Sequence, residues 1–114
     1  RIHERSHGEG FLSVILNRLS GNGLYIFDEP ESALSINSLY TLMVKMHELE
    51  KKNSQFIIAT HSPILLAYPG AAIYTITDNG FEPTRYEESM PYLLTKQFIL
   101  NRERVLNELL GDEE

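Results

Sequence analysis

Apolar residues at Phe11, Val14, Ile15 and Leu19 fall three and four apart and predict a helix over residues 10–19. Ser20-Gly21-Asn22-Gly23 ends it. Leu24 to Phe27 is a short apolar run with β-favouring members and reads as a buried parallel strand, followed by Asp28-Glu29-Pro30. Ser35 is placed to cap the next helix, whose apolar stripe is Ile36, Leu39, Leu42, Met43, Met46 and Leu49. Residues 56–60 repeat the pattern of a buried strand and lead into His61-Ser62-Pro63. There Ser62 can cap a short helical turn and Pro63 can open it.

Residues 72–77 read as a third strand. Asp78-Asn79-Gly80 is a turn signal, and residues 81–86 return as a hairpin partner. Ser89 can cap a last helix over residues 90–110, with Leu94, Phe98, Val105 and Leu109 as its buried face and Gly111 as its stop. Strands alternating with helices predict an α/β class with a sheet that is at least partly parallel.

Composition narrows the class of protein. The 114 residues suffice for one compact domain, and 42% of them are hydrophobic, enough to build a core. No apolar run of 18 residues occurs, so no membrane span is expected, and no signal peptide is visible. The absence of cysteine excludes disulfides and thiolate-held metal and fits a cytoplasmic protein. Sixteen acids against ten bases, net −6, argue against a broad nucleic-acid footprint on this segment. The six tyrosines do not cluster with basic residues, so packing explains them better than base stacking.

Three short stretches carry chemistry. Open parallel sheets place ligands beyond the carboxyl ends of their strands. Asp28 and Glu29 stand at such an end. An Asp there can hold Mg²⁺ beside nucleotide phosphates, and a neighbouring Glu can activate water. Taken alone, the pair reads equally well as a solvated acidic turn. His61 follows the second apolar strand. If the two strands are parallel neighbours, its imidazole reaches the same edge and can donate to a γ-phosphate. Ser6-His7-Gly8-Glu9-Gly10 precedes the first predicted helix, where backbone N–H groups can form an anion nest.

In this order and spacing the stretches resemble the ABC-type ATPase superfamily, in its soluble, non-transporter branch of AAA and SMC-like ATPases. Residues 6–10 are similar to the signature loop, and residues 24–29 to Walker B with the catalytic glutamate. Ser32-Ala33-Leu34-Ser35 is similar to the D-loop, and His61 to the switch histidine. Two positions depart from the pattern. The signature reads Gly8-Glu9-Gly10 rather than Gly-Gly-Gln, and Ser35 stands where the D-loop carries Asp.

The resemblance implies a partial P-loop NTPase domain over residues 1–88, with parallel strands, flanking helices and a hairpin, followed by a C-terminal helix and acidic tail over 89–114. It implies ATP and Mg²⁺ as ligands, Asp28 on the metal side, and Glu29 and His61 at the γ-phosphate. A homodimer would sandwich ATP, with Ser6, Gly8 and Gly10 reaching the nucleotide of the partner protomer. No Gly-x-x-x-x-Gly-Lys-Ser/Thr run occurs in the sequence. In the family that loop precedes the signature, and the sequence opens on Arg1. The expectation is therefore the C-terminal half of an ATPase domain, inactive without its P-loop half. A DNA repair or maintenance ATPase, a transporter ATP-binding subunit and a truncated, non-catalytic interaction module stand as alternatives.

Overall fold

The computed structural model describes residues 2–111, with side chains from Gly10 onward. The elements run α1 (Ile2–Arg18), β1 (Leu24–Asp28), a 3-10 turn (Pro30–Ser32), α2 (Ile36–Glu50), β2 (Gln55–Ala59) and α3 (Pro63–Leu66). Then come β3 (Tyr74–Thr77), β4 (Gly80–Pro83), a second 3-10 turn (Tyr86–Glu88), α4 (Met90–Leu100) and α5 (Arg102–Leu110). The chain divides into two compact units, the first ending at Tyr68 and the second starting at Pro69. The hairpin, grouped above with the first 88 residues, falls in the second unit.

In the first unit β1 and β2 pair in parallel, from Leu24 opposite Gln55 to Asp28 opposite Ala59. The connection is α2, capped as expected: Ser35 Oγ accepts from the Ser38 N–H at 3.1 Å. Leu39, Leu42, Met46 and Leu49 are buried along one stripe, and Leu42 is wholly enclosed. Each such side chain contributes about 1.5–3 kcal/mol of transfer free energy. Ile15 of α1, Leu19 just beyond its end, Leu34 and Leu65 complete the cluster, and Tyr25, Phe27, Phe56 and Ile58 pack against it. Ile36, assigned to the stripe from sequence, instead faces outward on the first turn.

The strands correct a second expectation. They are covered on one face only among the described residues, and Leu24, Ile26 and Ile57 on the other face are half exposed or more. Period-two alternation puts Tyr25 and Phe27 with Phe56 and Ile58 on one side. The helices contributing to the core all lie on that side.

The loops before β1 and β2 are tied together. Ser54 Oγ donates to the Ser20 carbonyl at 2.6 Å and accepts from the Gly23 N–H at 3.1 Å. The Tyr25 ring folds back so that its hydroxyl accepts from the Ser20 N–H at 2.8 Å. A Cβ on Gly23 would meet that ring at 2.6 Å, so a larger residue here would displace the Tyr25 ring. At the far end, the Tyr68 hydroxyl donates to Glu50 at 2.8 Å. Burial first, then the carboxylate, raises its pKa to about 12.

In the second unit β3 and β4 form the expected hairpin, shorter than the sequence suggested at its open end. Gly80 takes φ of 101°, a conformation that side chains disfavour, which explains the glycine at the turn exit. The single helix expected over 90–110 is two. Asn101 leaves the helical region, with φ −133° and ψ 43°, and separates α4 from α5. Leu94, Phe98 and Leu109, expected to be buried, are exposed in this structure. Ser89 precedes α4 but does not cap it with its side chain. Its hydroxyl donates to the Tyr86 carbonyl at 2.8 Å.

Candidate functional site

The carboxyl ends of β1 and β2 lie side by side because the pair is parallel and in register, Asp28 facing Ala59. The first turn beyond β1 is tightly determined. Glu29 adopts the left-handed conformation, φ 51° and ψ 56°. A non-glycine residue there costs on the order of 1–3 kcal/mol and persists only where surrounding bonds hold it. Those bonds are present. The Glu29 N–H donates to the Ala59 carbonyl at 2.7 Å, continuing the strand ladder by one residue. Pro30 is buried and opens the 3-10 turn. The Glu29 carbonyl accepts from the Ser32 N–H at 3.0 Å and from the Ser32 hydroxyl at 2.9 Å.

Beyond β2 the chain turns through Thr60 and His61 into α3. Ser62 is buried and caps α3, accepting from the Ile64 and Leu65 N–H groups at 3.1 and 3.2 Å. The two loops then meet. Glu29 Oε2 lies 3.6 Å from His61 Nε2, with both side chains largely exposed. That separation is too long for a direct hydrogen bond, and an oxygen placed off the line between them reaches both groups. Asp28 is exposed, and no described residue engages its carboxylate. No three His, Cys, Asp or Glu among the described residues could hold a metal by themselves.

Glu31 was not singled out in the sequence. Its carboxylate accepts from the Thr60 hydroxyl at 2.6 Å and from the His61 N–H at 2.9 Å. Thr60 Oγ1 in turn accepts from the Ser62 N–H at 2.9 Å. Partial burial pushes the Glu31 pKa up. The hydrogen bonds from Thr60, His61 and its own backbone, with the His61 charge, outweigh that and hold it below its ordinary value. The available sequence signal was an acid two residues past Glu29, after a proline that opens a turn, facing a second strand end rich in donors.

The other sequence-derived residues divide. Ser32 and Ala33 are exposed, and the Ala33 N–H closes the 3-10 turn onto the Pro30 carbonyl. Leu34 is buried in the core and Ser35 caps α2, so these two build the scaffold directly under the site. Residues 6–10 do not form a loop ahead of a helix: α1 starts at Ile2 and runs through them. Two glycines inside a helix cost about 1 kcal/mol each relative to alanine, which a 17-residue helix can absorb. The side chain of Ser6 and the surroundings of Gly8 lie outside the described residues. Gly10 is exposed, with open space where a Cβ would stand.

An α/β unit with acidic and imidazole groups at the carboxyl end of a parallel pair fits a nucleotide-hydrolysing class of protein, and comparison with known sequences agrees. Residues 10–67, half of the chain, match the family described as "AAA domain, putative AbiEii toxin, Type IV TA system", and the chain belongs to that family, within the ABC and AAA-type ATPase superfamily. It is also similar to a Haemophilus influenzae (strain ATCC 51907 / DSM 11121 / KW20 / Rd) protein named "Uncharacterized ABC transporter ATP-binding protein". The two are 31% identical over 110 residues, which take in 95% of this chain and 40% of the relative. The chain thus spans about two fifths of the length of the curated relative it matches. No solved structure matches.

Proposed function

We propose that this chain supplies one side of an ATP-hydrolysing site, completed by a P-loop elsewhere in a longer protein. One observation carries the reading. In a chain of this family, Glu29 and His61 follow the ends of two adjacent parallel strands, and their side chains stand 3.6 Å apart. ATP is the substrate. Glu29 takes the proton of the attacking water, and the His61 imidazole donates a hydrogen bond to the γ-phosphate.

Asp28 fits the role of holding Mg²⁺, since its carboxylate is exposed and no described residue engages it. Mg²⁺ is commonly held by one or two carboxylates plus phosphates and water, and when bound it neutralises charge on the phosphates. The left-handed turn at Glu29 and the buried Pro30 keep the Glu29 backbone fixed while its carboxylate stays in solvent.

Ser6, Gly8 and Gly10 are assigned to the nucleotide of a second protomer, giving an ATP-sandwiched homodimer. The relative's name speaks of transport. No helix of the described residues is long and apolar enough to cross a membrane. The experiment is nucleotide binding and steady-state ATP turnover by the full-length protein carrying Glu29→Gln. Retained binding with lost turnover supports the reading.

A further inference from the structure

The loop carrying His61 lies between β2 and α3, and its imidazole is exposed, 3.6 Å from the Glu29 carboxylate. Among the described residues, Glu31 is the residue of the opposite loop whose side chain hydrogen-bonds to this loop. The Glu31 carboxylate spans the gap with both oxygens, one on the Thr60 hydroxyl and one on the His61 N–H. Thr60 passes the constraint on by accepting from the Ser62 N–H, and Ser62 caps α3. Glu31 is itself held, because it is the middle residue of the 3-10 turn that starts at the fixed Glu29 backbone. The result is a two-point carboxylate clamp between the turn that bears Glu29 and the loop that bears His61. It grips the His61 backbone and not the imidazole.

We infer that Glu31 is a positioning residue: it sets the His61 loop at the distance from Glu29 that the chemistry needs, without touching the nucleotide. This inference rests on the function proposed above. A small displacement of a working group can cost up to about 10²-fold in rate with little effect on binding. Glu31→Ala removes both acceptors. Glu31→Gln keeps an oxygen for the His61 N–H and offers its amide to Thr60 Oγ1, so it should restore most of the contact.

The test uses the full-length protein, with thermal melts to verify that both variants fold. Two readouts are taken: kcat and KM for ATP, and hydrogen exchange at the peptide containing His61. The expected result for Glu31→Ala is a kcat loss of about 10- to 100-fold, KM within about twofold, and faster exchange at His61, with Glu31→Gln close to wild type. Wild-type kcat in Glu31→Ala, in a protein where Glu29→Gln abolishes turnover, overturns the inference and leaves the site reading standing. If the wild type turns over no ATP, the site reading falls, and exchange alone decides the clamp: unchanged exchange in Glu31→Ala overturns it, and faster exchange supports it. If Glu31→Ala does not fold, Glu31→Gln and Thr60→Val carry the same two readouts. Wild-type kcat and wild-type exchange in Thr60→Val would overturn the inference.

Discussion

Glu29 and His61 stand 32 positions apart in the sequence and 3.6 Å apart in space, Oε2 to Nε2. The parallel register of β1 and β2 produces that meeting, since Asp28 and Ala59 are partners and each strand is followed by a turn toward the other. The consequence is a shared edge where a proton acceptor and a hydrogen-bond donor can address one oxygen.

Removing the donor should slow the chemistry more than the binding. His61→Ala in the full-length protein is expected to lower ATP turnover about 10²–10³-fold, the usual effect of deleting one donor to developing charge. Nucleotide affinity, measured by fluorescence titration, should change little. A variant with wild-type turnover would remove His61 from the site.

Glu31 should leave a mark on acid stability. Its folded pKa is lowered from 4.5, so below that value the unfolded chain binds more protons than the folded one. Its contribution is therefore present above pH 4.5 and is lost as pH falls through the lowered folded value. Melting temperatures of wild type and Glu31→Gln, followed from about pH 6 to about pH 3, should converge at the acid end. A gap that stays constant over that range would contradict the assignment.

The core prediction concerns Leu42, the one described side chain that is wholly enclosed. Truncation leaves a cavity between α2 and the sheet, and Leu42→Ala should destabilise by about 2–5 kcal/mol. Chemical denaturation followed by circular dichroism measures it. Val44 is exposed on the outer face of the same helix, and Val44→Ala should lie within about 0.5 kcal/mol of wild type. Equal effects at the two positions would contradict the packing described.

The proposed dimer has its own test. Ser6→Arg in the full-length protein should weaken ATP-dependent self-association while leaving nucleotide affinity of the protomer nearly intact. Light scattering with ATP and Mg²⁺ distinguishes the cases. A mutant dimer as stable as wild type would count against assigning residues 6–10 to a partner's nucleotide.

Much of this arrangement was legible in the sequence where the cause is local. The spacing of Leu39, Leu42, Met46 and Leu49 specifies α2, Ser35 and Ser62 specify two helix starts, and two apolar runs specify β1 and β2. Burial was less legible, because an apolar strand side chain does not say what covers it: Ile26 and Phe27 look alike in sequence and face opposite sides of the sheet. The break at Asn101 was missed because apolar periodicity continues across it from Phe98 to Val105, while its cause is one residue's backbone. The start of α1 is hidden in the sequence because Gly8 and Gly10 are residue types common in loops, and a long helix tolerates both. Glu31 was missed because its partners lie 29 and 30 positions away, and its role exists only once the two loops are adjacent.

The central claim is that Glu29 is the base of an ATP-hydrolysing site, and Glu29→Gln in the full-length protein tests it most directly. The amide keeps the shape of the carboxylate and deletes the proton acceptor. The account predicts retained ATP binding, with turnover reduced by about 10²–10⁴-fold. Turnover equal to wild type would contradict it.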